Sequence, residues 1–374
     1  MKKIVLYNES KQTGGHEVLS VEVAKVLSTM YSVYYIVSSY NIDLINRLNQ
    51  IEGIKLLKID YAFNRFQIIN NLFEYRISSI VENILKEILP DLCIAVQGTI
   101  DSSYLIIPAS KKLKIPVVSY IPIAFDLRNI SKYKYIGFVK DILQSYYYKQ
   151  PDFFITINER LADNIKCKSK NSNVFIVYNG INFSKYKNYN KSVCRSKYEI
   201  DHNTFVVSYI GRLEYWHKGL DYYLKCIDEN IDKLVGMDFV FAGKGVASKE
   251  IISLSKKYSN IHYIPWSDNV GEIYSLCDCF CLPSRFEGCP IALLEALYYK
   301  LPIIASNIPE IEAIIDRKQL FDVGNQLQLL NKLLEAKNNR VLPTSCNFEN
   351  YSLKKFQSSF AFTINHILSV SVPK

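Results

Sequence analysis

Short apolar runs recur along this chain, and between them lie stretches in which apolar side chains return about every 3.6 residues. The runs Lys3–Tyr7, Ser32–Val37, Leu92–Gln97, Pro116–Tyr120, Phe153–Ile157 and Val174–Tyr178 predict one set of strands. A second set is predicted at Phe205–Ile210, Asp238–Ala242, Ile261–Ile264, Cys279–Leu282 and Pro302–Ala305. Helical spacing marks Val18–Leu27, Ile80–Ile88, Gly219–Ile227, Pro290–Tyr299 and Tyr351–Val370. Apolar strands alternating with amphipathic helices predict α/β architecture, with parallel sheets covered on both faces. Residues 183–204 interrupt the pattern: they are polar, rich in Lys and Tyr, and lack apolar periodicity. The predicted organisation is a Rossmann-like domain over 1–182, a linker over 183–204, a second Rossmann-like domain over 205–345 and a terminal segment over 346–374. Two doubly wound units so joined are expected to hold a ligand in a cleft, at the carboxyl ends of their strands.

The length of 374 residues suits two cores of this kind. No stretch approaches the 18 or so uncharged apolar residues of a membrane span. The opening Met1–Tyr7 is basic then briefly apolar before Asn8 and Glu9, which predicts a buried strand rather than a secretory leader. Nine cysteines, an odd number, argue against a disulfide framework. Cys277, Cys279 and Cys281 alternate within a predicted strand and are read as packing, with no metal site expected. Charge is uneven: residues 1–200 carry 27 Lys/Arg against 17 Asp/Glu, a net of +10, while residues 201–374 carry 18 against 19, a net of −1. Such an excess can attract phosphates, anionic lipid or nucleic acid.

The richest chemistry lies in Pro283–Leu297. Pro290 predicts a helix start, so Gly288 and the next N–H groups would point outward at a positive dipole end. Glu287 stands just before that start and Glu295 eight residues on, about 12 Å away if the stretch is helical. That spacing suits an elongated nucleotide sugar, with hydroxyls held at each end. Upstream, Arg212 follows a predicted strand and Lys218 precedes the next helix, positions from which two cations can clamp a diphosphate.

These segments belong to an ordered set: Gly14-Gly15-His16-Glu17, Val177–Asn182, Gly211-Arg212-Leu213 with Lys218-Gly219, Phe241–Gly245, Pro283-Ser284 with Glu287-Gly288 and Glu295-Ala296, and Leu301–Ser306. In this order they resemble the retaining glycosyltransferases of family 4, within the GT-B superfamily, over residues 1 to about 315. The resemblance implies that Arg212 and Lys218 contact the donor diphosphate. Glu287, with Gly288, Cys289, Pro290 and Ile291, would surround the donor sugar, and Glu295 would accept from the ribose. Gly243 joins the donor set, and Gly14 and Gly15 would form an opposing lip. Catalysis is assigned to Glu287, Arg212 and Lys218, with no metal or other cofactor. The terminal helix would cross back to the first domain. Where similar enzymes carry a first-domain histidine, this chain reads Ile121–Asp126, which leaves Asp126 and His16 as acceptor-side candidates.

The expected function is transfer of a hexosyl unit, with retention, from a nucleotide sugar (a UDP-sugar by family habit) to a saccharide or lipid-linked acceptor of a surface polysaccharide. An inverting transferase using His16 as base and a UDP-sugar epimerase are the enzyme alternatives. Aromatics interleaved with lysines at Lys132–Tyr135 and Tyr146–Lys149 raise nucleic-acid binding, but no recognised motif supports it. Contact with an anionic membrane surface is preferred, through Ile80–Ile88 and the basic stretch Lys111–Lys149. The expected location is cytoplasmic, peripheral at the inner face of the membrane.

Overall fold

In the computed structural model, residues 1–62, 67–71, 74–130, 133–267, 269–338 and 348–371 are described. The chain forms two compact units, Met1–Gly180 with Asn350–Lys374, and Ile181–Glu349. The first unit carries β1 (Lys3–Asn8), β2 (Ser32–Ser38), β3 (Ile54–Ile59), β4 (Leu92–Val96), β5 (Val117–Tyr120), β6 (Phe153–Thr156) and β7 (Val174–Ile176). They pair in parallel in the order β3-β2-β1-β4-β5-β6-β7. The second carries β8 (Phe205–Ile210), β9 (Met237–Ala242), β10 (Ile261–Ile264), β11 (Cys279–Leu282), β12 (Ile303–Ser306) and β13 (Leu320–Phe321), parallel in the order β10-β9-β8-β11-β12-β13. Each central strand is buried on both faces, which is why it reads as an unbroken apolar run.

Two strands escaped the sequence reading. β3, Ile-Lys-Leu-Leu-Lys-Ile, is a sheet edge whose lysines face water, so its apolar run is broken. β13 has only two residues. A correction concerns residues 183–204, which are not a bare linker. They contain a helix, Lys191–Lys197, and belong to the second unit. Arg195 is buried there, with Nη2 at 2.6 Å from Asp278 Oδ2 and other N–H groups on the carbonyls of Leu276, His202 and Thr204. The apolar periodicity is weak because a satisfied arginine, rather than an apolar stripe, anchors this segment. The expected boundary between residues 345 and 346 lies outside the described residues.

The last helix, Leu353–Val370, starts where the Ser352 hydroxyl accepts from the Lys355 N–H at 3.2 Å. Its buried stripe of Phe356, Phe360, Ile364 and Ile367 completes the core of the first unit beside Tyr120 and Val177. Gly180 permits this approach: a Cβ there would lie 2.5 Å from that of Phe356. Among the described residues no helix is long and apolar enough to cross a membrane.

Phe360 is fully buried and meets the Tyr120 ring edge-on at 5.1 Å. Phe360→Ala is therefore expected to destabilise the first unit by about 3–5 kcal/mol. Guanidinium unfolding checks this, and an unchanged midpoint would detach the last helix from that core.

Candidate functional site

In the second sheet the chain winds outward from β8 in both directions, through β9 on one side and β11 on the other. β8 and β11 are hydrogen-bonded neighbours, Val207 opposite Cys279 and Ser208 opposite Phe280. The loops leaving their carboxyl ends, 211–219 and 283–290, therefore part at a topological switch point, where doubly wound sheets leave room for a ligand.

Several close contacts lock these loops together. Gly219 has φ +70°, and a Cβ on it would sit 1.9 Å from the Pro283 carbonyl oxygen. Only glycine allows helix Leu220–Glu229 to begin against the β11 loop. The Arg285 N–H donates to His217 O at 3.0 Å. Its guanidinium grips Asp221 bidentately, at 2.6 and 2.7 Å, and donates to Trp216 O at 2.8 Å while lying over the Trp216 ring. On the other flank, Leu213 N–H donates to Lys244 O at 3.0 Å. There a Cβ on Gly243 would fall 1.9 Å from Gly211 O.

Within this frame Lys218 and Glu287 come together, but in a manner the sequence reading did not foresee. Lys218 Nζ lies 2.7 and 2.9 Å from the two Glu287 carboxylate oxygens, and the Ser284 hydroxyl donates to Oε1 at 2.6 Å. The side chains are only 15 % and 7 % exposed, so this is a buried ion pair. Lys218 is thus neutralised by Glu287 instead of standing as a free cation. Arg212 is exposed, with Nη1 at 2.8 Å from Glu214 Oε1. The His217 contact and the Arg212 charge hold the Glu214 carboxyl below its ordinary range, and the His217 ring stacks on Phe286 at 4.1 Å. Two cations and two acids leave this group formally neutral.

The following helix spans Ile291–Tyr298, so it starts later than Glu287 and the 12 Å helical spacing to Glu295 does not apply. Pro290, with ψ 75° and no N–H, sets that start. The Gly288 and Cys289 backbone leads into it, and Ile291 N–H donates to Cys289 O at 2.9 Å. Glu295 is held by two phenols, Tyr274 at 2.7 Å and Tyr186 by a shorter contact. Burial pushes its carboxyl pKa up, while both phenols act to lower it. Asp221, Arg285, Tyr186 and Tyr274 were missed because their partners lie far away in sequence. Tyr186 also sat in the presumed linker.

In the first unit, Gly14 precedes helix Gly15–Ser28, and its N–H donates to Glu17 Oε2 at 2.9 Å. A Cβ on Gly15 would touch nothing. His16, raised as an acceptor-side candidate and as the base of the inverting alternative, tilts against Tyr120 at 4.5 Å. Its ring nitrogens are shielded, and burial lowers its pKa to about 3 against a smaller opposing pull from the Tyr120 backbone. Asp126 sits 3.1 Å from Lys168 and 3.6 Å from Arg128, as an ion-paired surface group. The sequence reading also passed over Glu9, fully buried where β1 ends. It accepts from Tyr7 Oη at 2.9 Å and from Ser103 N–H at 2.8 Å, bridging to the loop after β4, the neighbour of β1. Burial pushes its pKa up to about 8.

Residues 190–355 match the family described as Glycosyl transferases group 1. A solved structure, Anabaena HepE in complex with UDP and glucose, superposes on 98 % of this chain and 100 % of its own with a TM-score of 0.73, at 14 % identity. The fold is GT-B. Over 209 residues this GT-B chain is 27 % identical to the O-antigen biosynthesis glycosyltransferase WclY of Escherichia coli, covering 55 % of this chain and 58 % of WclY. It is 26 % identical over 211 residues to an Escherichia coli UDP-Gal:alpha-D-GlcNAc-diphosphoundecaprenol alpha-1,3-galactosyltransferase, covering 51 % of each. The alignments thus span little more than half the length of these curated relatives.

Lys218→Met would strand a buried carboxylate and is expected to cost about 3–5 kcal/mol, whereas Lys218→Met with Glu287→Gln should regain much of that loss. Denaturant melts of the single and double variants check this; equal melts would mean that the pair does not couple. Glu9 has a folded pKa above its unfolded value near 4.5, so its contribution to stability is full at low pH and is lost as pH rises towards 8. His16 works in the opposite direction, but only between about 3 and 6.5. From pH 6.5 to 8, Glu9→Gln should therefore gain stability relative to the native chain, as followed by thermal melting; parallel curves would contradict a protonated Glu9.

Proposed function

We propose that this chain transfers a hexosyl unit from a nucleotide sugar, read as a UDP-sugar, to a saccharide or lipid-linked acceptor, with retention of anomeric configuration. One observation carries the reading. At the β8/β11 switch point Arg212, the Lys218–Glu287 pair and the start of helix Ile291–Tyr298 all belong to two adjoining loops. The names of relatives that act in O-antigen biosynthesis and on a diphosphoundecaprenol-linked sugar support a surface-polysaccharide setting.

A diphosphate arriving here meets a cheaply freed cation, because exposed pairs such as Arg212–Glu214 contribute about 0–1 kcal/mol. Lys218 keeps a third N–H beyond those spent on Glu287. Both donors, with the helix dipole, would stabilise the negative charge that grows on the leaving diphosphate. Glu287, fixed by Lys218 and Ser284, would orient the donor sugar. Glu295, in the place the family resemblance gives to the ribose, would take its hydroxyls alongside or instead of Tyr186. The departing phosphate would accept the acceptor's proton, so no side-chain base is required, and no metal enters this scheme.

An inverting mechanism would require His16 to take that proton. An imidazole with a pKa near 3 is a weak base at neutral pH, which favours the retaining reading.

Thermal-shift titration with UDP, GDP and their sugars tests donor binding. Arg212→Ala, at an exposed position, should leave the melting temperature unchanged and weaken UDP binding at least tenfold. Unchanged affinity would remove the diphosphate assignment. NMR of the product linkage tests stereochemistry: an inverted centre would refute retention, and donor turnover without acceptor would identify an epimerase.

A further inference from the structure

Helix Lys134–Tyr148 is built inside out. Its inward face consists of Gly137, Gln144, Tyr147 and Tyr148, whereas Tyr135, Ile136, Phe138, Val139, Ile142 and Tyr146 are exposed. Tyr135 is 79 % and Ile142 57 % accessible. At 100° per residue these six positions fill one continuous arc of roughly 160°.

The helix cannot roll to hide this arc. Gly137 is pressed against the backbone of helix Leu127–Ile130, where a Cβ would lie 2.5 Å from Leu127 O. Gln144 Nε2 donates to Asp101 Oδ1 at 2.9 Å, and Tyr147 Oη donates to Ile68 O at 2.6 Å. The polar groups are spent inward, and the apolar ones are left outward. An apolar stripe of this size on a surface marks a contact site.

Charge selects what covers it. Exposed Lys134 and Lys140 stand at the two margins of the arc, and Lys149 follows its end. The helix's one acid, Asp141, is turned away, accepting from Leu127 N–H at 2.8 Å and Arg128 N–H at 3.0 Å. Apolar side chains flanked by lysines suit a lipid surface, with rings and aliphatics among the acyl chains and ammonium groups at anionic headgroups. Two copies of this face would oppose lysine to lysine, which disfavours self-association. This helix lies within the basic stretch Lys111–Lys149 first considered for membrane contact, and the rest of that stretch and Ile80–Ile88 are less suited. Glu82 on helix Tyr75–Ile88 pairs with both Lys86 and Lys112, at 2.7 and 2.8 Å, and Lys111 is paired with Asp152.

We infer that the outward face of helix Lys134–Tyr148 docks this protein on a bilayer surface containing anionic phospholipid.

The test is flotation of the full chain with phosphatidylcholine vesicles, with and without about a third phosphatidylglycerol. The native protein should float only with the anionic vesicles, and less at high salt. Ile142→Asp should weaken binding at least tenfold. Lys134→Gln, Lys140→Gln and Lys149→Gln should each weaken it about fivefold. All are exposed positions, so unchanged melting temperatures exclude misfolding. Lys86→Gln should bind as the native protein does. Flotation of Ile142→Asp equal to native, or no flotation of the native chain with anionic vesicles, would overturn the proposal. So would light scattering that shows a dimer dissolved by Ile142→Asp, since the face would then be a self-interface. Vesicle binding is measured without turnover, so its outcome is separate from that of the transfer reaction.

Discussion

Burying an ammonium and a carboxylate costs several kcal/mol per ion, and the cost is offset only when the two meet at hydrogen-bond distance with their remaining groups satisfied. Lys218 and Glu287 meet this condition at 2.7 and 2.9 Å, with Ser284 completing the carboxylate's partners. The amine rides on the loop after β8 and the acid on the loop after β11, so the pair closes only if both loops hold their shape. Gly219, pressed on Pro283, and Arg285, forked onto Asp221 and Trp216, supply that hold. The second unit's switch point is therefore a set of charges fixed by one another.

The first unit solves a similar problem differently. Among the described residues no cation pairs with Glu9 at the end of β1, and burial pushes its pKa up to about 8, so that near neutral pH it is largely a neutral acid bonded to Tyr7 and Ser103. His16 nearby in sequence is likewise kept neutral by burial. The Lys218–Glu287 pair and the protonated Glu9 thus each carry little net charge. The +10 of residues 1–200 is carried elsewhere, in part by the lysines bordering the outward arc of helix Lys134–Tyr148.

Neutral surroundings have a chemical consequence for a diphosphate site. On the proposed reading, attraction would come less from standing positive charge than from donors that can be redirected: an exposed arginine in a weak pair, the third N–H of a lysine, and a helix dipole. Such a site would be quiet when empty and would change its bonding partners as charge develops on the leaving diphosphate. Tyr186 and Tyr274 hold Glu295 in the same way, as polar partners that keep a half-buried carboxylate satisfied.

The sequence by itself determined both sheets' central strands and five of the helices, because a strand buried on two faces must be apolar throughout and a covering helix must be apolar on one side. It also brought Arg212, Lys218 and Glu287 forward, since each follows a strand end or precedes a helix, and added Glu295 through its spacing from Glu287 and the family resemblance. The tertiary structure alone decided how they are bonded. That Lys218 is spent on Glu287, that Arg285 reaches Asp221, and that Arg195 turns a presumed linker into a packed segment all depend on side chains between 64 and 83 residues apart. The inside-out helix Lys134–Tyr148 is a case of the same limit. Periodicity shows that one face is apolar, but which face turns inward is set by a glycine contact and two hydrogen bonds to distant residues. Local pattern encodes what each segment must bury, and long-range polar contacts choose the partner.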